Sequence, residues 1–155
     1  MITRLAAIMM PALALVYVTA AQAATITECG TSKGYGYYFE GAGIHPGAPG
    51  WHEESVRDGA FKLTQDGNQL DLVVTDKEGT KSLKAQGFQV FSIPQRTTGF
   101  IQVVAIHQKG VVEHYLFQLD ALGNGKVAWG SLKGNYWPVQ KSGLYEATCL
   151  SPPKQ

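Results

Sequence analysis

The run Phe61-Lys62-Leu63-Thr64-Gln65-Asp66-Gly67-Asn68-Gln69-Leu70-Asp71-Leu72-Val73-Val74 alternates apolar and polar residues on either side of an Asp-Gly-Asn turn. A period of two with a glycine turn between the runs marks a β-hairpin. Lys77-Glu78-Gly79 turns the chain again, and the pattern continues outward. Leaving aside Gly125 and Gly130, glycines fall at 59, 67, 79, 87, 99, 110, 123, 134 and 143, spaced 8 to 13 residues apart. Turn residues at that spacing, with β-rich segments between them, predict an antiparallel all-β domain. Residues 61–64, 70–74, 82–85, 88–93, 100–107, 111–119, 126–132 and 144–149 are the expected strands.

No stretch after residue 23 carries a sustained 3.6-residue apolar period, so helix content should be small; residues 52–57 allow one helical turn. About eight sequential strands with short connections pair as neighbours in a meander. An up-and-down barrel is the preferred architecture, because closure removes exposed strand edges, and a two-sheet sandwich is the alternative.

The chain has 155 residues, enough for one domain. It opens with Arg4, an uncharged and mostly apolar stretch, and Ala21-Gln22-Ala23. That order of charge, apolar core and A-x-A site predicts a signal peptide over residues 1–23, cleaved before Ala24. It predicts a bacterial exported protein, periplasmic or secreted, with no stable membrane insertion after cleavage. A single β domain then covers 24–150, with 151–155 a flexible Pro-containing tail. Thirteen basic and twelve acidic residues give a charge of +1. Arg4 leaves with the leader, so the mature chain is neutral and carries no clustered excess for nucleic acid.

Two cysteines, Cys29 and Cys149, lie near the ends of this domain. In an oxidising compartment they predict one disulfide that joins the termini.

Residues 30–59 stand apart as an irregular Gly/Pro/aromatic-rich segment. The Gly and Pro density from 41 to 50 predicts a long loop, the kind that carries binding function on rigid β scaffolds. Tyr35, Tyr37 and Trp51 in this region, and Trp137 near the end, are the candidate ligand-binding residues. Trp129 and Tyr145 are expected in the core. His45, His52 and Glu53 are the candidates for a metal, although they lack zinc-site spacing, and no metal or cofactor is expected. Gly30-Thr31-Ser32-Lys33-Gly34 matches G-x-S-x-G. A nucleophile elbow needs a helix after the serine, and Tyr35-Gly36-Tyr37-Tyr38 does not supply one.

His107 and His114 flank a hairpin at Gly110 with two open registers. A two-residue turn makes them diagonal neighbours; a three-residue turn pairs 107 with 111 and puts His107 on the face of Glu113.

The order of Cys29-Gly30, Gly34-Tyr35-Gly36-Tyr37-Tyr38-Phe39, Gly50-Trp51, Arg57-Asp58-Gly59, Leu70-Asp71-Leu72 and Tyr145-Glu146-Ala147-Thr148-Cys149 resembles a group of small exported bacterial proteins whose function is not established. The resemblance implies an envelope location and a β-rich fold, and it brings no active-site residues. A non-catalytic binding module for a small molecule, peptide or envelope component is the function expected first. An inhibitor of an envelope hydrolase comes second and a small hydrolase last.

Overall fold

The computed structural model describes residues 23–40, 49–57, 59–134 and 140–152. Residues 1–22 of the expected leader over 1–23, His45, Trp137 and residues 153–155 of the tail lie outside them. Eleven strands form one antiparallel sheet: β1 (Ala24–Cys29), β2 (Ser32–Tyr38), β3 (Gly50–Val56), β4 (Ala60–Asp66), β5 (Gln69–Asp76), β6 (Gly79–Ser82), β7 (Phe88–Ile93), β8 (Phe100–His107), β9 (Val111–Leu119), β10 (Gly125–Lys133) and β11 (Lys141–Leu150). The sheet order is β6-β5-β4-β1-β11-β10-β9-β8-β7, and β2 and β3 extend it beside β11. The sheet curls into a half-barrel in which β5 lies against β7 with no ladder between them.

The strand pairs follow the alternation and turns in the sequence. Asp66 pairs with Gln69 across Gly67-Asn68, where Gly67 takes φ 56°. Such a left-handed turn position costs a glycine no Cβ clash. His107 pairs with Val111, and Gly110 sits at φ 79°, so the three-residue register holds. His107 therefore shares its face with Glu113, and His114 points to the opposite side.

Three of the eleven strands had no counterpart among the eight expected, and a fourth, β6, overlaps its expected segment only at Ser82. Ala24–Cys29 forms β1, and the segment read as irregular supplies both strands of the β2–β3 hairpin. Gly34 and Gly36 do not break β2, because each answers to a close approach. A Cβ on Gly34 would meet the Leu144 carbonyl oxygen, and one on Gly36 would meet the Glu54 carboxylate. Residues 52–56, read as compatible with a helical turn, are strand. The strand expected over 82–85 instead ends at Ser82. There Ser82 Oγ accepts from Ala85 N (2.9 Å) and the chain turns. The tail begins half-buried, with Ser151 N donating to Asn124 Oδ1 (2.9 Å).

β11 is the longest strand and organises the rest. Its inner edge pairs with β10 from Lys141 to Cys149. Its outer edge is shared: Cys149 and Leu150 pair with β1, and residues 141–146 pair with β2. β1 and β2 thus run end to end, broken at Gly30-Thr31. Their partners β4 and β3 break opposite, with Cys29 against Phe61 and Ser32 against Val56. Thr31 Oγ1 donates to the Arg57 carbonyl (3.2 Å) across the break.

One end of the barrel is closed. Leu63, Leu72, Val103, Phe117 and Val127 are fully buried there beside the Cys29–Cys149 disulfide, whose Cα atoms are 4.0 Å apart. Thr27 Oγ1 donates to the Gly123 carbonyl (2.6 Å), which ties β1 to the β9–β10 turn. The disulfide closes 120 residues of separation. Chain-entropy models assign such a loop about 4–5 kcal/mol. The Cys29→Ser/Cys149→Ser variant is expected to lose roughly 2–5 kcal/mol in urea unfolding. A midpoint equal to that of the oxidised wild type would show that the cross-link adds nothing.

Candidate functional site

The concave face changes character at Phe61. Below it the core is apolar and fully buried; above it the half-barrel opens into a cavity of about 590 Å³. Cavities of roughly 300–1,000 Å³ suit small-molecule ligands. Phe61 stands edge-on to Tyr115 (5.5 Å), Phe117 (6.2 Å) and Trp129 (6.3 Å) and forms the floor. Val74, Leu83, Phe88 and Val111 supply apolar walls, and Val56, Gly59 and Ala60 line the side where the β1–β2 ribbon kinks.

Cross-strand register builds one wall as a row of rings. Tyr115, Trp129 and Tyr145 are opposite one another on β9, β10 and β11. They stack at 5.7 Å and 14° for the first pair, and 4.4 Å and 26° for the second. Each ring is tethered by its polar atom. Tyr115 Oη donates to Glu113 Oε2 (2.6 Å), Trp129 Nε1 donates to Ser32 Oγ (3.0 Å), and the Tyr145 hydroxyl donates to Glu54. The wall is therefore rigid, and it presents apolar ring edges rather than open polar atoms.

Above the rings the same strands carry charge. Lys133 and Lys141 are cross-strand partners, and Ser131 pairs with Glu113. Glu54 accepts from the Tyr38 and Tyr145 hydroxyls and pairs with Lys141 (2.9 Å). Burial pushes its carboxyl up, but those phenols and the ammonium outweigh it and hold it below the usual value. Burial and the neighbouring Glu54 raise the Tyr38 hydroxyl to about 12 and the Tyr145 hydroxyl further. Burial also raises the Glu113 carboxyl, and the Tyr115 hydroxyl and Lys133 pull it only part of the way back. Lys133 is lowered by burial and by the adjacent Lys141. Both members of the Glu113/Lys133 neighbourhood thus move toward their uncharged forms.

The ligand candidates named from sequence that lie among the described residues sit elsewhere. Tyr35, Tyr37 and Trp51 have the opposite strand parity to Ser32 and Tyr38, so they face the convex side. Tyr37 packs edge-on against Phe39 (5.1 Å) and Trp51 (5.4 Å), while Tyr35, Trp51 and the nearby Leu144 are 56%, 62% and 63% exposed. Consecutive strand residues point to opposite faces, so His52, beside Tyr38 on the concave side, and Glu53, on the convex side, do not converge on one ion. Ser32 is buried as the acceptor for Trp129 at the start of a strand, not displayed on a turn before a helix. His107 lines the cavity beside Phe88 (4.9 Å), with Nδ1 accepting from Lys109 N (3.1 Å). Ser131, Lys133 and Lys141 were not singled out from sequence, and Glu113 appeared there only as the face-mate of His107. The available signal was the parity of Glu113 with Tyr115: residues two apart on a strand share a face.

Glu54 also sets an expected pH response. Its folded value lies below the unfolded value of 4.5, so its contribution is present above about pH 4.5 and is lost as pH falls through the lowered value. Wild type should lose stability in that window, and Glu54→Gln should show a flatter acid limb. Coincident acid limbs would remove Glu54 from the balance. No family model, curated protein or solved structure matches this chain.

Proposed function

We propose that this protein is a non-catalytic, exported binding module that takes a small, mostly apolar molecule into the open end of its half-barrel. The cavity carries the proposal: about 590 Å³, an aromatic floor and a tethered row of rings, with a lining that also includes the charged Asp76, Glu78, Lys81, Lys109, Glu113 and Lys133. Concave apolar sites with few convergent polar groups are the usual form of ligand pockets. The leader-like residues 1–23 and the Cys29–Cys149 disulfide support an envelope or extracellular location, where thiols oxidise.

Titration with the neutral fluorophore N-phenyl-1-naphthylamine tests it. Saturable one-to-one binding is expected, weakened at least about tenfold in Val74→Trp, which fills the cavity from β5, and unchanged in Trp51→Ala. Binding lost in Trp51→Ala and retained in Val74→Trp would move the ligand to the convex face.

The exposed Tyr35, Phe39, Trp51 and Leu144 favour a second function, a protein-interaction domain such as an inhibitor of an envelope hydrolase. Contiguous apolar surface of this kind marks interaction sites. Inhibition of an identified hydrolase would then be lost in Trp51→Ser and kept in Val74→Trp.

A further inference from the structure

The convex face of the sheet divides into two surfaces. On β1, β4, β5 and β6 it is polar: Glu28 pairs with Lys62 (2.8 Å), and the Thr75 and Thr80 hydroxyls meet at 3.0 Å. On the other seven strands the ladder register lines up apolar side chains in two neighbouring rows. In the first, Trp51 stands across from Tyr37, Leu132 from Val112, and Val112 from Ile106, with Ser142 between Tyr37 and Leu132. In the second, Tyr35 stands across from Leu144, Leu144 from Gly130, and Val104 from Phe91, with His114 between Gly130 and Val104. Residues two apart on a strand share a face, so the rows lie side by side as one band. Glu53, at the β3 edge, is the only Asp, Glu, Lys or Arg in it, and the His114 ring is engaged by Gln102 (2.8 Å).

Area indicates what such a band is for. Seven of its large apolar side chains are between 37% and 63% exposed. Together they offer about 800 Å², more than the roughly 300–600 Å² of the largest apolar patch on a typical monomer and close to one partner's share of a standard interface.

Charge and shape identify the occupant. Distinct partners are steered and selected by complementary charge, and this band offers one carboxylate at its edge. A neutral mature chain does not repel its own copy. The centre of the band is also self-complementary. Gly130 leaves a gap in the second row: a Cβ there would stand 3.4 Å from the Gly143 carbonyl oxygen and 4.0 Å from Leu144 Cδ1, so room for a side chain is open. Leu144, the most exposed member of the band, projects directly beside that gap.

We infer that the band is a homodimer interface, in which a two-fold axis between Leu144 and Gly130 seats each copy's Leu144 in the other's Gly130 gap. An isologous contact of this kind uses one patch twice and closes at two. The sheets then pack back to back, about 10 Å apart, and both cavities stay open on the far sides. The inference does not depend on the cavity holding a ligand, and it puts a second copy where the inhibitor reading puts a hydrolase.

Sedimentation velocity of the oxidised, exported protein tests it. A dimer with a dissociation constant of about 10 µM or tighter is expected. Leu144→Lys places a charge in the contact twice and should raise that constant at least about a hundredfold. Gly130→Leu, at a position outside the left-handed region, fills the gap and should raise it about tenfold or more. Thr80→Lys, on the polar half, should leave it unchanged. Far-UV circular dichroism equal to that of wild type checks that each variant folds. A protein monomeric at about 200 µM, or a dimer that Leu144→Lys leaves intact, would overturn the interface. A monomer that floats with phosphatidylethanolamine/phosphatidylglycerol vesicles, and no longer does so in Leu144→Lys, would replace the second copy with a lipid surface.

Discussion

The outer edge of β11 is longer than either strand that covers it, and the shape of the molecule depends on how that edge is divided. β1 takes the last two residues and β2 takes six at the other end, so the chain must break between Cys29 and Ser32. The opposing β4–β3 ribbon breaks in step, since β3 ends at Val56 and β4 begins at Ala60. β5 follows β4 but not β3, and the half-barrel is left open along the diverging β2–β3 hairpin. The disulfide fastens the last residue of β1 to β11 beside this junction. A straight β1–β2 strand would let β5 continue alongside and close over the space that Val56, Gly59 and Ala60 now border.

The concave face is consequently divided into two jobs. On the closed side of Phe61, large apolar side chains are fully buried and supply stability in the usual way. On the open side, aromatic rings still pack against one another, but their polar atoms are held by Glu113, Ser32 and Glu54. Those bonds cost the site its free hydroxyls and give it a fixed wall in return. Rigid walls lower the ordering cost of binding. Ser131 is the exception within this otherwise satisfied face.

The strands from Phe61 onward, the short β6 excepted, were legible because alternation and glycine turns agree there, and the Cys29–Cys149 pairing followed from a count of two. Ladder register at Gly110 could be narrowed to two cases but not chosen, since one residue of turn length decides it. The β2–β3 hairpin was missed because the Gly and Pro density from 41 to 50 marked all of 30–59 as irregular, whereas Gly34 and Gly36 fit a strand in which the Leu144 carbonyl and the Glu54 carboxylate occupy the space of their absent Cβ atoms. Which face the candidate ligand residues occupy was not legible for a related reason. Tyr37 and Tyr38 are adjacent in sequence and face opposite sides, so composition pointed to the hairpin while parity, which needs the register, assigns Tyr35, Tyr37 and Trp51 outward. Glu54 and Lys141, separated by 87 residues, have no local signature at all.

The most direct measurement is the map of backbone amide shifts in the ¹⁵N-labelled oxidised protein as 1-octanol is added. The largest changes are expected at Phe88, Glu113, Tyr115, Trp129, Ser131 and Lys133, with Tyr35, Trp51 and Leu144 unmoved. Changes centred on Tyr35, Trp51 and Leu144, with the β9–β10 amides still, would contradict the placement of the binding site inside the half-barrel.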